Sequence, residues 1–311
     1  MKELVVVSGK GGTGKTSVVA ALATQAGRLV LADCDVDAAD LHLVLAPAVQ
    51  QAHPFSGGKR ARVLAETCTG CGTCEEVCRF DAVRRVAAGA DGSQVAFAID
   101  AVACEGCGVC VAFCPAGAIA FETVTNGEWY VSQTRCGPMV HACLGAGAEN
   151  SGKLVTLVRQ RARALAAEEL IGLVLVDGPP GIGCPVIASL SGADAALIVA
   201  EPTAAGLHDF ERIAALAAHF DVPAYLCANK WDLDPENAAR LEGLAAERGL
   251  PCLGRVRYDH VFRRAQRQGR SVLEIGGDGA AEDLRTLWRN LEPLISASET
   301  ALPVLGSTAR A

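Results

Sequence analysis

Runs of buried-type residues, each ended by a glycine turn or an acid, dominate the pattern of apolar and polar positions. Residues 3–8, with Leu4-Val5-Val6-Val7 at their centre, predict a strand covered on both faces. A glycine-rich loop follows at 9–16, and a helix is predicted from Lys15 to Ala26, with Gly27 just past its end. Leu29-Val30-Leu31-Ala32 predicts a second buried strand, running into the acidic turn Asp33-Cys34-Asp35-Val36-Asp37. The same alternation returns after Lys153. Helices are predicted over 153–169, 206–219, 234–248, 259–268 and 279–291, and strands over 171–177, 195–200 and 224–228. Strands alternating with helices at this spacing predict an α/β fold with a mostly parallel, doubly wound sheet.

Between about residues 48 and 145 the alternation lapses, and cysteines, glycines and short turns take over. The predicted organisation is one α/β domain from residues 1–47 plus 148–295, interrupted by a module at 48–147. Residues 296–311 form a small, polar tail. The interrupting module carries an approximate repeat, since Phe80-Asp81-Ala82-Val83 and Ala116-Gly117-Ala118-Ile119 each follow a cysteine quartet.

Composition narrows the classes. Hydrophobic residues make up 50% of the 311, enough for an extensive core, and the formal net charge of −7 argues against nucleic acid as a partner. The basic stretches Lys59-Arg60-Ala61-Arg62 and Arg159-Gln160-Arg161-Ala162-Arg163 read as a solvated loop and a solvated helix face. No apolar run approaches the roughly 18 residues of a membrane span. The N-terminal apolar run is too short for a signal peptide, so the expected setting is cytoplasmic and reducing, and the 14 cysteines are read as metal-binding or redox groups rather than disulfides.

The loop Gly9-Lys10-Gly11-Gly12-Thr13-Gly14-Lys15-Thr16 has the G-x-x-x-x-G-K-[ST] form and sits between a strand and a helix, the context that motif needs. Its glycines let backbone N–H groups point at phosphate oxygens, and the helix N-terminus adds positive potential. Lys15 is expected to reach the β- and γ-phosphates of ATP, Thr16 to ligate Mg²⁺, and Ser17 to complete the nucleotide-binding run. Asp177 ends an apolar strand before Gly178-Pro179-Pro180-Gly181-Ile182-Gly183. It suits a Mg²⁺ carboxylate followed by a loop that reorders when the γ-phosphate leaves.

The cysteines fall as Cys68-x2-Cys71-x2-Cys74-x3-Cys78 and Cys104-x2-Cys107-x2-Cys110-x3-Cys114, the second followed by Pro115. This is the ligand spacing of a bacterial-type ferredoxin, in which the fourth cysteine of each run serves the other cluster. It predicts an α+β ferredoxin-type insert with two [4Fe–4S] clusters. Cys68, Cys71, Cys74 and Cys114 would hold one, and Cys78, Cys104, Cys107 and Cys110 the other. Zinc is the competing metal. Of the other cysteines, Cys227 and Cys252 read as core and Cys34 and Cys184 flank the acidic loops. Cys136 and Cys143, with His141 between them, read as buried thiols beside a surface histidine, with a transient metal site as the alternative.

With its second lysine, Lys10, the loop resembles that of the deviant Walker A ATPases, which include MinD, ParA, Mrp-type carriers and the nitrogenase iron protein. The resemblance implies that Lys10 reaches across an ATP-bound dimer to the partner's phosphates, the partner being a second copy or a related ATPase. It implies that Asp35 positions or deprotonates the attacking water and contributes to the Mg²⁺ site, with Asp33, Asp37 and Asp40 competing for that role. Asn229 and Lys230, in Asn229-Lys230-Trp231-Asp232, resemble the base-recognition segment, and Glu149–Val155 looks like the junction closing an insert. The activity implied is slow, partner-stimulated hydrolysis of ATP. Its expected use is electron transfer through the clusters to a redox partner. One alternative is assembly or carriage of an iron–sulfur or metal cofactor for a partner protein. Another is MinD/ParA-like positioning with a redox-sensing insert, which the missing C-terminal basic amphipathic helix disfavours.

Overall fold

A computed structural model describes residues 1–88, 94–145 and 151–296. Lys2–Ser8 (β1) leads through the glycine loop into Lys15–Gln25 (α1), followed by Val30–Asp33 (β2), Leu41–Leu45 (α2) and Ala48–Phe55 (β3). Next come Gly58–Val63 (β4), Thr73–Glu76 (α3), Val83–Ala88 (β5), Gln94–Ile99 (β6), Val109–Phe113 (α4) and Ile119–Val124 (β7). Gly127–Thr134 (β8) and Gly137–Leu144 (β9) precede Ser151–Glu168 (α5), Leu173–Pro180 (β10), Cys184–Leu190 (α6), Ala195–Ala200 (β11) and Ala204–His219 (α7). The chain continues through Ala224–Asn229 (β12), Pro235–Glu247 (α8), Cys252–Val256 (β13), Val261–Arg267 (α9), Val272–Ile275 (α10) and Ala280–Ser296 (α11).

Nine strands form one sheet in the order β13-β12-β11-β1-β10-β2-β9-β8-β3. Every pairing from β13 to β9 is parallel, and β8 runs antiparallel to both of its neighbours. Both faces are covered, so the strands read as continuous apolar runs rather than alternating ones. Val5 and Val7 pack into one layer with α5, α6 and α7, while Leu4 and Val6 pack into the other with α1 and α11. This confirms the α/β doubly wound core.

The structure departs from the sequence expectation in the middle of the chain. β3, β8 and β9 lie within residues 48–147, yet they extend the main sheet rather than belonging to a separate module. Outside that sheet stand β4 paired with β7, β5 paired with β6, and the short helices α3 and α4. The register of β9 on β2 explains why. Met139 and Val140 pair with Leu31 and Ala32, burying both faces of a strand that composition alone made look loop-like. The predicted tail from 297 on, and Glu149 and Asn150 of the predicted junction, lie outside the described residues.

The basic stretches also differ from expectation. Lys59–Arg62 is strand rather than loop, within β4. Arg159 is buried, not solvated. It donates from Nε and Nη2 to the buried carboxylate of Glu3 at 2.9 and 2.7 Å, and Arg163 binds the same carboxylate. His141 is buried rather than a surface residue, with its Nε2 2.8 Å from Ser132 Oγ. Cys136 and Cys227 are buried, while Cys143 and Cys252 are exposed.

Burial lowers the His141 pKa to about 4, with a smaller push from His42. The unfolded chain therefore binds more protons between about pH 6.5 and 4, and stability must fall as pH drops through that window. Denaturant titrations should show a loss of at most about 3 kcal/mol, largely absent in His141→Gln. Equal pH slopes for both proteins would contradict it.

Candidate functional site

The phosphate loop leaves β1 at the carboxyl end of the sheet, where β2, β10, β11 and β12 also end. Open α/β sheets bind ligands at this edge because loops diverge there and helix N-termini point inward. Gly14 has φ +92°, and a Cβ on it would lie 2.4 Å from Asn229 Nδ2, so glycine is required on both counts. Lys15 opens α1 as a buried ammonium 2.5 Å from Asp177 Oδ1 and 3.6 Å from Asp35 Oδ2. Burial lowers the pKa of this lysine, but Asp177, Asp35 and Asp33 outweigh that, and the net direction is up.

Asp33 and Asp177 are adjacent in the β2–β10 register, and both are fully buried. Desolvation first, and then the charge of Asp177, push the Asp33 carboxyl well above the ordinary carboxylate range. Asp35 lies two residues on, half-buried. Burial raises it to about 6, with Lys15 pulling down and Asp177 pushing up. Asp37 and Asp40 are exposed, so Asp33 and Asp35 are the carboxylates of this turn at the site. Thr16 and Ser17, half-buried, follow Lys15 in the first turn of α1.

Asn229 and Lys230 serve the loop directly. Asn229 Nδ2 donates to the Thr13 carbonyl at 2.5 Å, and Lys230 Nζ donates to the Gly12 carbonyl at 2.8 Å. Glu201, at the end of β11, escaped the sequence reading. It pairs with Lys230 at 3.0 Å and with Lys10, whose Nζ also lies 3.4 Å from Thr203 Oγ1. Its only sequence signal was its place one residue past an apolar strand, parallel to that of Asp177. The expected switch segment begins inside β10, which runs to Pro180, and the Gly181 N–H then donates to the Ser8 carbonyl at 2.9 Å.

A cation such as Mg²⁺ fits this set of oxygen atoms. Asp177 Oδ2, Asp33 Oδ2, Thr13 Oγ1 and Asn229 Oδ1 are buried with no protein partner, and buried polar atoms ordinarily have one. Thr16, Asp35 and Asp177 would be the residues to hold such a metal, which would supply charge neutralisation for phosphate.

The cysteine quartets require a correction. The structure carries all eight to the unit built from β4–β7. Cys68, Cys71, Cys74 and Cys114 line one small cavity, and Cys78, Cys104, Cys107 and Cys110 another. Six of them pack with Phe97, Ile119 and Val83 as small apolar side chains. Burial raises the Cys74 and Cys110 thiols, while hydrogen bonding with Thr73 lowers that of Cys71. Among the described residues, no group of three or more His, Cys, Asp or Glu side chains is positioned to hold a metal ion. This overturns the expectation of two [4Fe–4S] clusters in a ferredoxin-type insert, and of electron transfer through them. The transient metal at Cys136, Cys143 and His141 falls on the same observation.

A parallel sheet with this loop, its lysine and a strand-ending aspartate defines a P-loop ATPase. The chain belongs to the CobQ/CobB/MinD/ParA nucleotide-binding domain family, whose profile matches residues 4–272. It is 31% identical to the uncharacterized protein MJ0578 of Methanocaldococcus jannaschii over 232 residues, 73% of this chain and 78% of that one. Its fold is that of the cell division ATPase MinD of Pyrococcus furiosus, with TM-score 0.56 and 19% identity over 94% of this chain and 99% of that one. The septum site-determining protein MinD of Pyrococcus horikoshii, solved with Mg-ADP, matches at TM-score 0.56 and 18% identity, covering 94% and 96% of the two chains. Among the described residues no helix is long and apolar enough to cross a membrane.

Proposed function

We propose that this ATPase is a nucleotide-operated switch of the MinD/ParA kind, which dimerises with a second copy or a related ATPase on binding ATP and separates after hydrolysis. The observation that carries the reading is the buried Lys15 shared between Asp177 and Asp35, beside carboxylate oxygens that have no protein partner. In this reading the loop from Gly9 to Ser17 holds the phosphates of ATP, with Gly11, Gly12, Thr13 and Gly14 supplying backbone N–H groups. Lys15 neutralises charge on the phosphates. Thr16, Asp35 and Asp177 hold Mg²⁺, and Asp35 orients the water. Asn229 and Lys230 brace the loop and border the base. The β4–β7 and β5–β6 pairs, outside the nine-stranded sheet, support reading a separate module narrower than 48–147. We place the protein in the cytoplasm, where ATP is available.

Lys10 carries the dimer. In the single chain it rests on Glu201, so crossing to a partner's phosphates exchanges one anion for another. Lys10→Ala should remain monomeric with ATP in sedimentation velocity, while its affinity for ADP changes less than about threefold, since the exposed half of a surface ion pair contributes little. A variant that still dimerises on ATP would rule the reading out.

A further inference from the structure

A groove of about 750 Å³ opens between α5 and α6, outside the nucleotide site. Lys153, Arg159 and Arg163 line it, and among the described residues no carboxylate does. Beneath them lies Glu3, one buried carboxylate against two guanidinium groups. Lys153 Nζ meets only the Gly57 carbonyl among the described residues, at 3.4 Å. The groove is thus net positive on a chain whose total charge is −7. Ile187, 37% exposed, supplies an apolar patch on its α6 wall.

The groove is tied to the nucleotide site through α6. Arg159 Nη1 donates to the Ala188 and Ser191 carbonyls, at 2.5 and 3.0 Å, and so grips the last turn of that helix. The first turn follows Gly181 and Gly183, and Gly181 is bonded to the carbonyl of Ser8, the last residue before the phosphate loop. A change in the segment after Asp177 would thus reach the Ile187 wall through the first turn of α6.

We propose that this groove binds a short acidic segment of a partner protein, with an apolar side chain seated on Ile187, and that its affinity depends on the bound nucleotide. The nucleotide dependence rests on the switch reading above; the binding does not. Charge complementarity selects the occupant. Carboxylates alternating with an apolar residue match Lys153 and Arg163, the two cations within reach of solvent, beside one isoleucine. A polynucleotide would meet the field of an acidic protein outside the groove.

The test uses the full chain and a fluorescein-labelled octapeptide of glutamates around a central leucine, followed by fluorescence anisotropy. Saturable binding is expected, and it should be lost with the glutamine counterpart of the peptide. Lys153→Glu and Gln160→Glu alter exposed side chains, so folding is preserved, and each should weaken binding about tenfold. Binding should also differ between the ADP-loaded protein and the protein with a non-hydrolysable ATP analogue. Unchanged affinity in both charge variants would overturn the proposal, as would displacement of the peptide by a single-stranded oligonucleotide at lower concentration. Equal affinity in the two nucleotide states, with Lys10→Ala behaving as predicted, would overturn the coupling alone.

Discussion

Asp35→Asn should lower single-turnover hydrolysis of ATP by about 100-fold or more, while ATP still binds and the dimer accumulates. The reason is positional. Asp35 sits beyond the end of β2, half-buried, with Lys15 at 3.6 Å holding its carboxylate toward the loop. Asparagine keeps the shape and loses the charge that orients and accepts from water. The pH profile separates this role from simple scaffolding. The Asp35 carboxyl is raised to about 6 by burial, with Asp177 adding to the shift and Lys15 opposing it. Only the ionised form acts as base, so wild-type kcat/KM should fall about tenfold per unit once the pH drops below 6. Asn cannot titrate, and the residual rate of the variant should lack that limb. Persistence of the same acid limb in Asp35→Asn would assign it to another group.

Lys15→Ala should abolish detectable nucleotide binding in calorimetry, and it should also destabilise the fold at neutral pH. The ammonium is the buried counter-charge of Asp177, and its attraction extends to Asp35 and Asp33. Removing one partner of a buried ionic group leaves uncompensated charge, at a cost of about 3–5 kcal/mol. The acids can escape by protonation. The Asp33 and Asp35 carboxyl groups, already raised by burial, should rise further, so the folded variant binds more protons than the unfolded chain. Its stability should then increase as the pH is lowered from 8 toward 5, a window in which the wild type changes less. Denaturant midpoints across that range are the measurement. A deficit independent of pH would mean that lost packing, and not charge, explains the effect.

Much of this was legible in the chain because it is local. A phosphate loop is a run of consecutive residues whose glycines and lysine act within one turn. The strands around it are buried on both faces, so Leu4–Val7, Val174–Val176 and Ala195–Ala200 announce themselves without reference to any neighbour. β3, β8 and β9 were not legible as sheet, because their identity comes from pairing. The middle of β9 is apolar only where it lies on β2, and β3 is mostly exposed at the edge. Arg159 was misread for a related reason. Its sequence neighbours are Gln160 and Arg161, but its physical neighbour is Glu3, 156 positions away.

The cysteines and the acids mark the division between sequence and fold. Spacing alone grouped Cys68 to Cys78 and Cys104 to Cys114 and predicted crossed quartets. The fold did bring those crossed sets to two separate cavities, but the metal-holding geometry that spacing implied is absent among the described residues. By itself the sequence determined the fold class, the phosphate loop and Asp177, since each depends on residues adjacent in the chain or on a strand's own burial. Only the tertiary structure decided which carboxylates of the turn after β2 face Lys15, that Glu201 holds Lys10 and Lys230, and that α5 and α6 enclose a basic groove. Those are juxtapositions across the sheet, and a carboxylate's pKa, partner and role follow from what stands within a few ångströms of it rather than from its neighbours in the chain.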